Sequence, residues 1–533
     1  MTDARTTYDQ VPYPSLSYTH THPDHLATVA RLMGLESAPP ARCRMLELGC
    51  ASGGNLMPMA YALPESEFIG IDNSRVQIDE GQEALKKLGL ENLDLRYMDI
   101  MDVDGDLGQF DYVVAHGIFS WVPHEVQEKL LDVCRANLAP NGVAFVSYNT
   151  YPGWHLIEIA RGIMRYHTRD DVDPQQRATR ARAILDEFVE AMADQHTVYG
   201  DFLSIYAETL KDAHKSNTPA GNAFLLHDEM EDLNQPYYFY QFVERAEEHG
   251  LQYLGEADFR KMTGTNFGPE GQKILSQHSK SVIDVEQYMD FLRNRTLRQT
   301  LLCHQDVEVR RKLRPETIQR FCMASKAKPE SDDPDIHAAS VEKFLASDGA
   351  ALAMDHPTSK AAMIHMAKVW PASVPFDELL SEARAYLGLG ASDGDQQQDA
   401  QVLAANLFKA YSYSSELVDL HTHAPPVVLE IGERPMVSPV ARMQATKSDM
   451  VTNQRHERVT LDEIDLLLLQ HLDGEHDRAA LIEWLEKGPV AQGKMAIEKD
   501  GQEVKDKTQL RTLLAEGVDK KLRWLRYAAL LAG

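Results

Sequence analysis

The residues Glu47 to Asn55 read "ELGCASGGN", which gathers three glycines and small side chains into one turn. Glycine lets a backbone turn tightly and approach a ligand closely. The spacing is not GxGxxG, because Cys50 and Ala51 follow Gly49. No Lys-Ser or Lys-Thr follows Gly54, so the turn is not a P-loop. Pyrophosphate and triphosphate are therefore poor candidates for its ligand. Two acids stand further on, Asp72 roughly twenty residues later and then Asp99. The first can accept both hydroxyls of a ribose, and the second can meet an adenine amino group. A glycine turn without phosphate logic, joined to acids for ribose and adenine, points to S-adenosylmethionine and hence to methyl transfer, with S-adenosylhomocysteine as product. The candidate cofactor contacts are Glu47, Gly49, Cys50, Ala51, Ser52, Gly53, Gly54, Asn55, Asp72, Asn73, Ser74, Met98, Asp99, Ile100, His116 and Gly117.

Such contacts need a scaffold that brings several loops to one edge. Five apolar runs supply it: "RMLELG", "EFIGID", "LDLRYMD", "FDYVVAHG" and "GVAFVSYN". Helical spacing separates them, at Ile78, Ala84, Leu85 and Leu88, and again at Val126, Leu130, Val133 and Cys134. Strands alternating with helices imply an α/β fold, a mostly parallel doubly wound sheet that binds ligands at the carboxyl ends of its strands. The expected domain is Rossmann-like, of the class I methyltransferase type, followed by mainly helical α+β accessory and winged-helix-like domains.

The fifth run ends in "VSYNTYPGWH", Val146 to His155, where aromatics sit among turn residues. Strand order puts this turn and "HGIFSWVP" at the mouth where a methyl group meets its acceptor. Methyl transfer to an amine is an in-line displacement with a neutral leaving group, so positioning and exclusion of water can carry most of the rate. The amine must attack neutral, and burial among aromatics lowers its pKa. The candidate catalytic residues are Tyr148, Asn149, Tyr151 and His116, with His116 or Tyr148 assisting proton removal. His116 as a cofactor contact or packed side chain is the competing reading. Candidate substrate contacts are Tyr13, Trp121, Trp154, His227 and Tyr240, with Asp228 and Tyr237 beside them; packing at a domain interface is the alternative for Trp154.

"THTHPDH", Thr19 to His25, matches the HxHxDH ligand pattern of zinc hydrolases. Its context does not fit, since a helix pattern (Leu26, Val29, Ala30, Met33) follows it directly, with Pro23 suited to the first turn. No metal is expected. Residues 8–25, with Tyr8, Tyr13 and Tyr18, are expected either to fold over the cofactor as a lid or to pack as ordinary aromatics.

The chain has 533 residues and a net charge of −27, which disfavours binding to phosphate backbones. No apolar run is long enough for a membrane span. The N-terminus lacks a signal-peptide pattern, so a cytoplasmic location is expected. The five scattered cysteines form no CxxC pair. Acidic breaks at 328–335 and 392–401 suggest loops. The expected organisation is a methyltransferase domain with its lid at 1–160, a helical bridge or dimerisation segment at 161–215 and a regulatory middle domain at 216–300. Winged-helix-like domains follow at 301–425 and 426–533. Asp377, Glu378 and Glu382 argue against a DNA-reading helix.

"LELGCASGGN", "GIFSWVP", "SYNTYPGWH", "LLHDEME", "NQPYYF" and "NRTLRQTLLCH" together resemble bacterial methyltransferases that carry a methyltransferase regulatory domain, and among them the rickettsial outer-membrane-protein lysine methyltransferases. The resemblance covers most of the chain and is sharpest in its first 305 residues. It implies a cytoplasmic homodimer that methylates lysines of a protein or peptide before export, with the later domains shaping the peptide cleft. The alternatives are a small-molecule N- or O-methyltransferase and a non-catalytic cofactor-binding scaffold.

Overall fold

The computed structural model describes residues 11–214, 219–264, 266–390, 394–499, 502–504 and 506–532. Tyr8 lies outside them. The chain opens with helix α1 (Pro23–Leu32), which begins at Pro23 and is capped by the His22 ring. Strand β1 (Arg44–Leu48) leads through the glycine turn into α2 (Leu56–Ala62). Then come β2 (Glu67–Asp72), α3 (Arg75–Leu88), β3 (Leu93–Tyr97), β4 (Phe110–Ala115), α4 (His124–Asn137) and β5 (Leu138–Asn149). Ser74 caps α3, and Gly89 ends it in a left-handed conformation that a side chain would resist.

Three long helices follow, α5 (Gly153–His167), α6 (Pro174–Met192) and α7 (Val198–His214). They pack on one another through Ala160, Met164, Ala181, Leu185 and Leu203. The chain then returns through a π-helical turn at Leu225–Glu229 to α8 (Phe239–Glu248), β6 (Leu251–Glu256), α9 (Val282–Arg293) and β7 (Leu297–His304).

The seven strands form one sheet in the order β3-β2-β1-β4-β5-β7-β6. The first five are parallel, and β7 runs antiparallel to both β5 and β6. The sheet therefore passes the boundary expected at residue 160, since two of its strands come from the middle segment. A buried ion network fastens that segment. Arg298 on β7 pairs with Glu256 on β6 and with Glu286 and Asp290 on α9, all of them buried.

One face of the sheet packs on α1, α2 and α3, and its core continues without a break into the middle unit through Phe344, Leu379 and Leu407. The other face packs on α4 and α8. The middle unit holds a small sheet (Cys322–Ala324 between Val374–Pro375 and Asp419–His421) and helices Pro357–Val369, Phe376–Tyr386 and Gln396–Tyr413. The last unit has a hairpin at 450–460 and a long helix, Lys507–Tyr527, over its own core. No helix among the described residues is long and apolar enough to cross a membrane.

Candidate functional site

A cavity of about 760 Å³ opens at the carboxyl ends of β1, β2, β4 and β5. The glycine turn forms its floor. Gly49 holds φ +75, and a Cβ there would lie 2.2 Å from Ile118, so only glycine fits. Ala51 also takes a left-handed conformation, φ 51, which Asp72 supports by accepting its N–H at 2.9 Å. The other Asp72 oxygen accepts the Ser74 N–H at 2.8 Å. Asp99 is exposed at the rim and accepts the Met101 N–H.

Glu47 is buried at the end of β1. Its Oε1 accepts from the Asn55 side chain at 2.8 Å, while Oε2 is buried without a hydrogen-bond partner. Burial pushes this carboxyl up to about 7. A buried carboxylate oxygen left open toward a cavity suits a cationic ligand group. Residues 13–18 close the roof. The Ser15 hydroxyl accepts the Gly54 N–H at 2.7 Å, and the Asn55 side-chain oxygen accepts the Tyr18 N–H at 2.9 Å. Tyr18 sets its ring edge-on against His116, with centroids 4.1 Å apart.

The far wall comes from the two ends of the helical segment between β5 and β6. Trp154 and Ile157 contribute from α5, and His227, Asp228 and Glu229 from the π-turn. Trp154 meets Trp121 edge-to-face. Asp228 accepts the Tyr13 hydroxyl at 3.2 Å, and Glu229 accepts the Tyr206 hydroxyl at 2.6 Å.

Three family models match the chain: "Methyltransferase domain" over residues 45–142, "Predicted methyltransferase regulatory domain" over 221–304, and "PKMT, C-terminal winged helix domain" over 433–530. The uncharacterized protein RP789 of Rickettsia prowazekii is 32% identical over 95% of this chain and 90% of its own length. The solved structure of PKMT2 from Rickettsia typhi in complex with AdoHcy matches with a TM-score of 0.86 at 27% identity, over 98% of this chain and 100% of that one. The chain belongs to this methyltransferase family.

In this methyltransferase the cavity gathers Glu47, Gly49, Cys50, Ala51, Asn55, Asp72, Asn73, Met98, Asp99, Ile100, His116 and Gly117 from the sequence-based set. Four members of that set lie elsewhere. Gly53 turns toward the sheet, where a Cβ would meet Leu95 at 2.9 Å. Ser52 and Gly54 line a neighbouring cavity of about 460 Å³, and Gly54 serves to admit the Ser15 backbone. Ser74 is fully buried as the cap of α3.

Of the expected catalytic residues, Asn149 and His116 line the cavity. Tyr148 does not. Successive strand residues face opposite ways, so Ser147 and Asn149 point into the cavity and Tyr148 points into the core beneath. There it stacks on Phe242, with centroids 4.0 Å apart, and bonds Thr300. Burial pushes its hydroxyl far above the usual range, which removes it as a base. Tyr151 also misses the cavity. It stacks on His155 and donates to Glu158 on the outer surface. Tyr240 belongs to the same outer aromatic group, beside Tyr238, and is 40% exposed. His116 sits 2.9 Å from the Ser147 hydroxyl, and burial holds it down at about 4, so it is neutral near pH 7 and a poor proton acceptor.

Among the substrate candidates, Tyr13, Trp121, Trp154, His227 and Asp228 line the cavity. Tyr237 instead bridges to Thr150 and donates to Gln127. Sequence reasoning missed Glu229, Ser147 and Ile157. The Asp-Glu pair inside "LLHDEME" was the visible signal for the first, and strand alternation for the second.

The "THTHPDH" residues are engaged in holding units together. Asp24 accepts from the His421 ring at 2.7 Å and from the backbone of Thr422 and His423. His25 donates to the Ala257 carbonyl, and His20 bonds Gln299. Among the described residues no group of three or more His, Cys, Asp or Glu side chains could hold a metal ion.

Proposed function

We propose that the protein is an S-adenosylmethionine-dependent protein-lysine N-methyltransferase. The observation that carries this reading is the end-to-end likeness to PKMT2, whose solved structure holds AdoHcy, together with a cavity that joins cofactor-type acids to an aromatic acceptor wall. When bound, the cofactor supplies an electrophilic methyl group on sulfur. Asp72 and Asp99 would hold its ribose and adenine, and the open Oε2 of Glu47 would meet its cationic end. The side chain of Asn149 donates to Asn234 at 2.8 Å, which leaves its oxygen to orient an amine N–H. Trp121, Trp154 and Ile157 exclude water around that amine and offer aromatic faces to a methylated cation.

The same reading includes a homodimer, with α5–α7 as its contact segment, and cytoplasmic action on envelope or outer-membrane proteins before export. The family resemblance supports both. The later units would shape the path of the polypeptide.

The test is incubation of the protein with labelled S-adenosylmethionine and a cell-envelope protein extract, followed by mass-spectrometric mapping. Label on lysine supports the reading. Label confined to metabolites replaces it with a small-molecule methyltransferase.

A further inference from the structure

The far wall of the cavity contains an arrangement that cofactor binding does not explain. In the π-turn Leu225–Glu229, the consecutive residues His227, Asp228 and Glu229 all line the cavity. Turns of this kind concentrate at functional sites. The two acids stand side by side, and among the described residues each accepts a neutral tyrosine hydroxyl, Tyr13 for Asp228 and Tyr206 for Glu229. No Lys or Arg forms an ion pair with either among the described residues. Asp228 and Glu229 are half-buried; among the described residues no Lys or Arg acts on Asp228, and the cation that acts on Glu229 is Arg161, whose guanidinium is taken up by the Glu231 carbonyl. This wall faces the space bounded by Trp154, Ile157 and Asn149, the surroundings expected of an acceptor amine.

We propose that Asp228, supported by Glu229, receives the ammonium group of the incoming lysine and accepts its proton. The proposal rests on the lysine reading above. Lysine is cationic in solution, with a reference pKa of about 10.4, and must become neutral before it attacks. The proton passes from the ammonium nitrogen to a carboxylate oxygen, giving a neutral amine and a neutral acid. The amine lone pair then forms the nitrogen–carbon bond as the carbon–sulfur bond breaks, and sulfur keeps that electron pair. The product leaves as a methylammonium, and Asp228 returns its proton to solvent.

The electrostatics agree with this geometry. Burial first, and then the charge of Glu229, pushes Asp228 up to about 7, and burial raises Glu229 as well. An acid titrating near 7 can both take and release a proton at working pH. The other titratable groups facing Asp228 are His227, beside it in the turn, and the Tyr13 and Tyr18 hydroxyls, while Arg161 acts on Glu229 and opposes its rise. His116 is held too low to compete.

The experiment uses the full-length protein with labelled S-adenosylmethionine and a cell-envelope protein extract, reading label on lysine from pH 6.5 to 10. AdoHcy affinity is measured in parallel by calorimetry. Asp228→Asn should lose about 100-fold in rate at pH 7. The deficit should shrink toward pH 10, where solvent itself frees the amine, and AdoHcy affinity should stay within about twofold. Asp228→Glu should recover part of the rate. Glu229→Gln removes the neighbouring charge and should move the acid limb of the profile to lower pH, a readout that survives if Asp228→Asn does not fold. The role is overturned if Asp228→Asn keeps within about threefold of the parent rate at pH 7, or if Glu229→Gln leaves the acid limb in place. It is also overturned if AdoHcy binding weakens with the rate, which would give Asp228 to the cofactor. A parent protein that labels no lysine overturns the lysine reading itself, whatever the variants do.

Discussion

The contact between α1 and the middle unit should fail on the alkaline side of neutrality, and His421 sets where. Its ring lies between two carboxylates, 2.7 Å from Asp24 and 3.1 Å from Asp419. Burial alone would lower its pKa, but the two acids override that and lift it to about 9. Arg455, 3.2 Å away, is the cation that opposes the protonated form, and it too is paired with Asp419. A histidine raised in the folded state adds stability that is fully present below its unfolded pKa of about 6.5 and is lost as pH climbs through the folded value. The window is therefore roughly pH 6.5 to 9. At about 1.4 kcal/mol per tenfold change in proton affinity, that span is worth about 3 kcal/mol. Glu47 and Asp228 are raised acids that titrate near 7, so most of their effect falls below that pH and they add little between pH 7 and 9.

A chain of several units need not unfold in one step, so the readout should be local. Hydrogen exchange of α1, corrected for the intrinsic pH dependence, should speed up by about a hundredfold between pH 7 and 9.5, the equivalent of about 3 kcal/mol. A His421→Gln variant should be weaker at pH 7 and show no such acceleration. Trp370, whose ring carries the Arg455 guanidinium at 4.6 Å, gives an independent fluorescence signal from the same junction. If parent and variant lose protection in parallel over this range, His421 is not protonated at neutral pH and the reasoning fails.

Four substitutions in and beside the site have defined outcomes. Asp72→Ala should cost about 2–3 kcal/mol of cofactor affinity by calorimetry, since the carboxylate also anchors the Ala51 and Ser74 amides. Asn149→Ala should lower kcat by about 10- to 100-fold with AdoHcy affinity kept, whereas Tyr148→Phe should leave kcat intact and cost about 1 kcal/mol of stability through the lost Thr300 bond. Gly54→Ala puts a Cβ 2.3 Å from the Ser15 carbonyl and should lift residues 13–18 from the roof, weakening cofactor binding about tenfold, or about 1.4 kcal/mol.

What the sequence disclosed depended on whether a signal was local. The glycine turn, Asp72 and Asp99 sit at strand ends that hydrophobic runs mark directly, so their convergence could be read in advance. The loss of Tyr148 from the site was also readable: in a strand, residues 147 and 149 share a face that 148 cannot, and taking Tyr148 together with Asn149 ignored that period. The last two strands were of another kind. "LQYLGEA" reads as a short strand, but nothing in it or in "NRTLRQTLLCH" says that the latter pairs with β5 across the whole helical segment between and the former with the latter. That pairing is fixed by the buried Arg298 with three acids, a long-range charge balance invisible in any window.

The acid pair at Asp228 and Glu229 shows the opposite case. The sequence offers Asp228 as a substrate contact, yet its neighbour Glu229, in a chain of net charge −27, reads as surface. Only the fold reveals that they stand half-buried in the wall opposite the cofactor turn, with no Lys or Arg in an ion pair to either among the described residues. A charge that would be ordinary in solvent becomes informative once its counter-charge is missing, because a folded protein retains such a cost chiefly where a ligand removes it.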